Sequence, residues 1–166
     1  MHRTGFDSIQ EFVIWIESLP PSKMVYPKTF FQNVKYVIWK YYTPLHPSVR
    51  DFGLRFGFVR HQGRQDFVLG KLSPSHSMKD FVSLLVSKGY GNHFVAWKDD
   101  DEVVSFRLVE DFEYQYHVRL YKDGEVRGHY EFTPECYPYR HMQEYVLEER
   151  RDYFRALFGD SVVSTV

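Results

Sequence analysis

The chain has 166 residues and a mass of 20.0 kDa, enough for one domain with a substantial core and too short for two large ones. Its hydrophobic fraction of 43% and charged fraction of 26% are those of a globular protein and exclude a disordered chain. With 21 Lys and Arg against 22 Asp and Glu, the formal charge of −1 excludes a global field that would draw the chain to nucleic acid or acidic membranes.

Aromatic residues make up 19% of the chain, and their rings fill core volume with few residues. The single cysteine, Cys136, cannot form an internal disulfide, so we expect a reducing environment. The apolar runs are far shorter than the roughly 20 residues that span a bilayer. The first residues lack the apolar segment of a secretory leader. These features predict a soluble, cytoplasmic protein with no membrane partner.

Two leading helices are predicted in residues 1–47. Asp7 is a suitable N-cap for the first helix, and Leu19-Pro20-Pro21 ends it. The second helix begins near Pro27 and ends at Thr43-Pro44. We expect both apolar stripes to face the core, since the opposite faces carry too few lysines for a membrane-lying helix. The stripes consist of Ile9, Phe12, Val13 and Ile16 in the first helix and Phe30, Val34, Val37, Ile38 and Tyr41 in the second.

From Gly53 the hydrophobic period changes to two. The alternating residues before and after Gln62-Gly63 predict a β-hairpin whose apolar side chains share one face: Leu54, Phe56 and Phe58, then Phe67 and Leu69. A third helix follows, in which Ser77 and Asp80 have capping-box spacing and Gly89 or Gly91 ends the helix. Its predicted buried stripe is Met78, Phe81, Val82 and Leu85.

A meander of four antiparallel strands is predicted next. The strands are His93 to Lys98, Val103 to Val109, Phe112 to Tyr121 and Glu125 to Phe132. A three-residue turn at Lys122-Asp123-Gly124 pairs Leu120 with Val126, Val118 with Gly128, Tyr116 with Tyr130 and Tyr114 with Phe132. A turn at Glu110-Asp111 places Leu108, Phe106 and Val104 beside Tyr114, Tyr116 and Val118, and a loop before Val103 places Val95 and Trp97 beside Phe106 and Val104.

These registers give the meander one apolar face and one polar face. We expect the polar face to be exposed, with helices covering the other. It would carry Lys98, Ser105, Arg107, Glu113, Gln115, His117, Arg119, Arg127, His129 and Glu131.

A final helix is predicted from Tyr139 to Phe158. Gly159 ends it, and we expect the tail from Ser161 to Val166 to be loosely held. The predicted class is therefore α+β, with an antiparallel sheet, made of the hairpin and the four-stranded meander, packed on helices in a two-layer sandwich. We expect one domain over residues 1–166, with residues 53–158 as its sheet–helix core.

The order of elements from Gly53 to Phe158 resembles one half-repeat of the TATA-binding-protein fold, which runs strand, helix, four strands, helix. The resemblance covers about two thirds of the chain and includes no sequence motif of that family. The extra strand and the two leading helices depart from the family's pattern. A helix-grip domain, in which a curved sheet wraps a long C-terminal helix, has a similar order. Neither likeness implies a function, because folds of this kind host many.

His117 and His129 are predicted to lie opposite each other on adjacent strands, with Cβ atoms roughly 5 Å apart. Two imidazoles so placed could share a metal ion or act as an acid–base pair. A metal site needs a third ligand, which only Gln115, Glu131 or a distant residue could supply. The alternative is two exposed sheet histidines, so the sequence predicts neither a metal ion nor a cofactor, and the two histidines are the only catalytic candidates.

Three functions are consistent with an exposed polar face of the meander and the aromatic-rich composition. The first is a non-enzymatic binding or regulatory protein that holds an anionic ligand or nucleic acid, with Phe94 and Tyr121 available to stack on bases. Its binding residues would be Lys98, Arg107, His117, Arg119, Arg127 and His129. The second is a hydrolase or phosphoester-processing enzyme that uses the two histidines with Arg119 and Arg127. The third is a homo-oligomer that buries the aromatic surplus between copies.

Overall fold

The computed structural model of the protein describes residues 3–23, 25–58, 67–92, 101–142 and 146–164. Its helices are α1 (Ile9–Ser18), α2 (Phe30–Tyr42), α3 (His46–Arg55), α4 (Met78–Ser87), α5 (Pro138–Met142) and α6 (Arg151–Phe158). Its strands are β1 (Val68–Leu72), β2 (Gly91–Asn92), β3 (Glu102–Val109), β4 (Tyr114–Tyr121), β5 (Glu125–Phe132), β6 (Val146–Glu148) and β7 (Val162–Val163).

The strands form one open antiparallel sheet in the order β2-β3-β4-β5-β1-β7, so the predicted α+β class is confirmed. β1 pairs with the start of β5, and β6 pairs with its end. Within the described ranges, no helix combines the length and the apolar character needed to cross a membrane.

Both leading helices form, with caps that differ from those predicted. Ser8, rather than Asp7, caps α1, because its Oγ accepts from the backbone N of Glu11 at 3.2 Å. Thr29, not the residue before Pro27, caps α2. The helices end ahead of Pro20 and of Pro44, as the sequence predicts.

The apolar stripe of α2 is exposed, so its predicted place in the core is wrong. The opposite side of the helix packs on the domain instead: Trp39 is buried, Lys35 Nζ lies 3.3 Å from Cys136 Sγ, and Tyr36 meets Phe112 edge to face. The indole buries more area than an aliphatic side chain, and Lys35 finds a partner on that side. Periodicity alone identified the stripe without identifying what it faces.

The first strand of the predicted hairpin is wrong, because His46–Arg55 is the helix α3. Pro47 occupies the first turn, where proline favours a helix. Val49, Phe52 and Phe56 recur at helical spacing, whereas the period-two pattern extends over only five residues. The second strand forms as β1. The turn at Gln62-Gly63 lies outside the described residues.

The register between β4 and β5 is confirmed at every predicted pair, from Leu120↔Val126 to Tyr114↔Phe132. The register between β3 and β4 is wrong by two residues, with Leu108 opposite Tyr116 rather than Tyr114. Asp111 Oδ1 accepts from the backbone N atoms of Glu113 and Tyr114, which makes the turn longer than predicted. A shift of two leaves each side chain on its predicted face. The predicted strand at 93–98 lies outside the described residues.

The predicted long C-terminal helix is wrong, because the segment forms α5, β6 and α6. Arg150, immediately before α6, has a φ of +46°, which ends any continuous helix at this point. Its guanidinium lies 3.7 Å from the Tyr130 ring centroid and donates to Tyr116 Oη at 2.6 Å. The tail is also not loose where β7 pairs with β1.

The core lies on the apolar face of the sheet, where the helices α1, α4 and α6 cover β3, β4 and β5. Its buried residues include Phe12 and Ile16 of α1, Phe81 and Leu85 of α4, Phe154 and Phe158 of α6, and Val104, Phe106, Val118, Leu120 and Val126 of the sheet. The buried stripe predicted for α4 is confirmed in full.

Candidate functional site

The polar face of the sheet is buried, so the prediction that it is exposed is wrong. Its members Ser105, Arg107, Gln115, His117, Arg119, His129 and Glu131 are each less than one-tenth exposed. The Phe67 ring lies 5.6 Å from that of His129, and His141 of α5 lies against Glu131. The alternation of apolar and polar residues along a strand predicts one exposed face, but here both faces of the strands are covered.

Three imidazoles converge on the carboxylate of Glu131. His117 Nδ1 lies 3.2 Å from Oε1, His129 Nε2 lies 3.2 Å from Oε2, and His141 Nδ1 lies 3.5 Å from Oε1. The ligand atoms of His117, His129 and Glu131 all lie within 4.8 Å of one another. The predicted cross-strand pair His117↔His129 is confirmed, and its rings are 5.2 Å apart in a T-shaped arrangement.

The strand geometry explains this convergence. His117 and His129 lie directly opposite each other on β4 and β5, and Glu131 follows His129 by two residues, which returns it to the same face. The short helix α5, begun by Pro138, then places His141 beside the carboxylate. Two strands and one helix therefore supply the cluster.

A hydrogen-bonded chain orients the carboxylate of Glu131. Gln115 Nε2 donates to Glu131 Oε1 at 2.6 Å, and Arg107 donates to Gln115 Oε1 at 3.1 Å, which fixes the orientation of the Gln115 amide. Arg107 in turn binds both carboxylate oxygens of Glu135, at 3.0 and 2.7 Å, and donates from Nε to Ser22 Oγ at 2.7 Å. Glu131 thus accepts from an amide that is itself held by a bidentate ion pair.

His117 is oriented from its other side. Its Nε2 lies 2.9 Å from Ser105 Oγ, on the neighbouring strand β3. A partner at Nε2 turns Nδ1 toward Glu131 and fixes the plane of the ring.

The buried charges differ in how they are balanced. Three carboxylates in the described part of the chain are buried. Glu135 pairs with Arg107, and Glu102 lies 3.7 Å from Arg119 Nε, whereas Glu131 faces imidazoles that carry a charge only when protonated. A cation bound beside Glu131 would therefore stabilise its buried negative charge.

The pKa values reflect this environment. Burial lowers the pKa of His117, the nearby charge of Arg119 lowers it further, and interactions with Glu131 only partly oppose them, so it falls to about 3. Burial by itself raises the pKa of Glu131, but interactions with His141 and His129 and hydrogen bonds to His117 and His129 hold it well below its usual value. The folded protein therefore presents a neutral His117 beside an ionised Glu131.

The arginines among the predicted binding residues do not form a free cationic surface. Arg107 pairs with Glu135, Arg119 lies near Glu102, and Arg127 donates to Glu125 at 2.6 Å. Tyr121 is buried, with Arg127 over its ring at 4.4 Å. Lys98 and Phe94 lie outside the described residues.

The sequence reasoning missed Glu135, Ser22 and His141. Glu135 and His141 follow β5 in a Pro-containing segment, and Ser22 is 85 residues from its partner Arg107. No local pattern reports such contacts, because they depend on how distant segments pack over the sheet.

Comparisons of this chain with protein-family models, with curated proteins and with solved structures give no match. The likeness to the TATA-binding-protein fold is therefore not confirmed by any structural neighbour, and function must be argued from the site itself.

Proposed function

We propose that this protein binds a divalent transition-metal ion through His117, His129 and Glu131, with His141 as the fourth ligand. The observation that carries the proposal is the convergence of two imidazoles and one carboxylate, all buried, with their ligand atoms within 4.8 Å. Imidazole nitrogen and carboxylate oxygen are ligands that Zn²⁺ takes in proteins.

The nitrogen–oxygen distances around Glu131 agree with those of a tetrahedral site. Ligand atoms about 2.0–2.1 Å from a tetrahedral ion are roughly 3.3 Å apart. The three contacts of the Glu131 oxygens with imidazole nitrogens span 3.2 to 3.5 Å.

Charge supports the same conclusion. A cation bound here offsets the buried charge of Glu131, which Arg107 and Arg119 do not, since they are engaged with Glu135 and Glu102. The neutral state of His117 is also the one that binds metal ions. The contacts of Ser105 with His117 and of Gln115 with Glu131 resemble the hydrogen bonds that orient metal ligands in other proteins, made by residues that do not touch the ion.

The burial of the cluster favours holding the ion over turning over a substrate. Catalytic metal sites keep an open coordination position, whereas a closed four-ligand site stabilises structure or stores the ion. Binding therefore ranks ahead of the hydrolase hypothesis, which needs Arg119 and Arg127 free for an anion. Binding of an anionic ligand or nucleic acid to the polar face has less support, because that face is buried.

The test is titration of chelator-treated protein with Zn²⁺ by calorimetry and with Co²⁺ by visible absorption, which reports four-coordinate geometry. We expect one ion per chain, and more than about tenfold weaker binding for His129→Gln and Glu131→Gln. His76→Gln is the matched control, because His76 lies in the loop before α4 and contacts Ser75 instead.

Two results would contradict the proposal. One is a folded wild-type protein that binds neither ion stoichiometrically. The other is binding that is equally strong in His129→Gln, Glu131→Gln and the control, which would place the ion elsewhere on the molecule.

A further inference from the structure

The helix α2 presents an apolar stripe away from the domain. Its side chains Phe30, Phe31, Val34, Val37, Ile38 and Tyr41 are between 42% and 77% exposed. The side of the same helix that carries Trp39 and Lys35 packs on the rest of the protein. The usual arrangement of an amphipathic helix is therefore reversed.

The size of this stripe matches an interface. Three aromatic rings about three-quarters exposed and three half-exposed aliphatic side chains offer roughly 500–750 Å² of apolar surface. The largest apolar patch on a soluble monomer is about 300–600 Å², and each partner in a stable dimer buries about 800 Å². The next helix, α3, and the residues that flank it add a second exposed row: Leu45, Val49, Phe52 and Phe56.

The spacing of the stripe makes it self-complementary. Phe30, Val34, Val37 and Tyr41 follow one another at intervals of four, three and four residues, which is the spacing of the a and d positions in a coiled coil. The pattern reads the same from either end. An antiparallel copy of the helix therefore sets Phe30 against the partner's Tyr41 and Val34 against the partner's Val37.

We propose that two copies of this chain form a two-fold dimer through antiparallel packing of α2 on α2. The flanking positions then bring Phe31 against the partner's Ile38 and Lys40 against the partner's Asn33, so that no like charges meet. The helix dipoles oppose each other, as side-by-side helices prefer. A helix pair of this kind crosses at about 20° and is isologous, which closes the assembly at two copies.

The first experiment is sedimentation velocity over a range of protein concentrations. We expect a dimer for the wild type and a monomer for Ile38→Glu, because a carboxylate in the centre of the stripe cannot be desolvated without a partner. Ile14→Glu is the matched control: Ile14 is 65% exposed on α1, Ile38 is 59% exposed on α2, and both are helical isoleucines. The control should remain a dimer.

The second experiment tests the orientation, in a Cys136→Ser background. Phe30→Cys mixed with Tyr41→Cys should form a disulfide-linked dimer under mild oxidation. Phe30→Cys alone should not, because two copies of residue 30 would be about 16 Å apart along antiparallel helices, and a disulfide spans less than about 7 Å between Cα atoms.

Three results would overturn the proposal. The first is a wild-type monomer at every concentration, and the second is a disulfide between two copies of Phe30→Cys, which indicates parallel helices. The third is a monomer whose sedimentation with anionic lipid vesicles is lost in Ile38→Glu, which would assign the stripe to a membrane surface.

Discussion

At the scale of single residues, the burial of His117 links protonation to stability. The ring lies between Ser105 Oγ and the carboxylate of Glu131, and it is 2% exposed. Burial, and then the charge of Arg119, lower the pKa of His117 to about 3, whereas the unfolded chain has a histidine pKa of about 6.5. Between these two values the unfolded state binds one proton more than the folded state.

We therefore expect the metal-free protein to lose stability as the pH falls from about 6.5 toward 3, with full stability from this group above that range. The His117 contribution to the slope is up to about 1.4 kcal/mol per pH unit. Urea unfolding of chelator-treated protein between about pH 7 and pH 5 measures it. His117→Gln should flatten the slope by this amount and His76→Gln should not; equal slopes in wild type and His117→Gln would contradict the argument.

Part of the site could be predicted from residues alone. The turn at Lys122-Asp123-Gly124 fixed the β4–β5 register, and that register placed His117 opposite His129 with Glu131 nearby. The identity of His141 as a further member could not be predicted, because no strand register relates α5 to the sheet. The burial of the polar face could not be predicted either. Its side chains form hydrogen bonds and ion pairs with one another, so they can be buried without contact with water.

At the scale of elements, helices with local signals were predicted well. The helix α4 has its capping box, its buried stripe and its C-terminal glycine as the sequence indicates. The break at Arg150 was missed because it depends on contacts with distant residues. The helix α3 was missed for another reason, since the short period-two pattern was preferred over Pro47 and the helical spacing of Val49 and Phe52. The Tyr130 ring and Tyr116 hydroxyl that hold Arg150 lie on the sheet.

The capping box of α4 leads us to predict opposite effects on stability for two serine-to-alanine substitutions in the same helix. Ser77 Oγ accepts from the Asp80 backbone N at 3.2 Å, so Ser77→Ala leaves that N–H without its partner and should cost about 1 kcal/mol. Ser83→Ala makes the same chemical change in the exposed middle of the same helix, where alanine is the better helix former, and should stabilise by a few tenths of a kcal/mol. Thermal and urea unfolding measure both; a loss of similar size in the two variants would exclude the cap as its cause.

At the scale of the whole molecule, the sheet is buried on both faces, and this could not be inferred from the strands. The apolar face is covered by helices, as predicted, while the polar face is reached by side chains from three distant segments at Ser22, Phe67 and Glu135–His141. Which segment covers a face depends on contacts far apart in sequence. The exposed stripe of α2 escaped prediction for the same reason, since periodicity gives a face and not its partner.

The segment after α1 packs against the edge of the sheet at Gly91, where the backbone of Pro21 and Ser22 comes close to the backbone of Gly91. Ser22 N donates to the carbonyl oxygen of Asn92 at 3.1 Å. The side-chain amide of Asn92 donates to the carbonyl oxygens of Ile16, in α1, and of Leu19, just after it. A Cβ at Gly91 would lie 2.5 Å from Ser22 N and 2.7 Å from Pro21 C, both backbone atoms. This close approach brings the Ser22 hydroxyl to Arg107 on β3.

Gly91→Ala should therefore displace the segment, costing about 2–3 kcal/mol through overpacking rather than backbone strain. Gly57→Ala tests backbone strain alone, since Gly57 has a φ of +74° and open space around its Cβ position. This substitution should reduce stability by about 1 kcal/mol. Displacement also weakens the Ser22–Arg107 hydrogen bond, so Ser22→Ala should cost less beside Gly91→Ala than alone, whereas it should add fully to Gly57→Ala. Urea unfolding of the single and double variants measures this coupling, and strict additivity with Gly91→Ala would show that the segment holds Ser22 in place without Gly91.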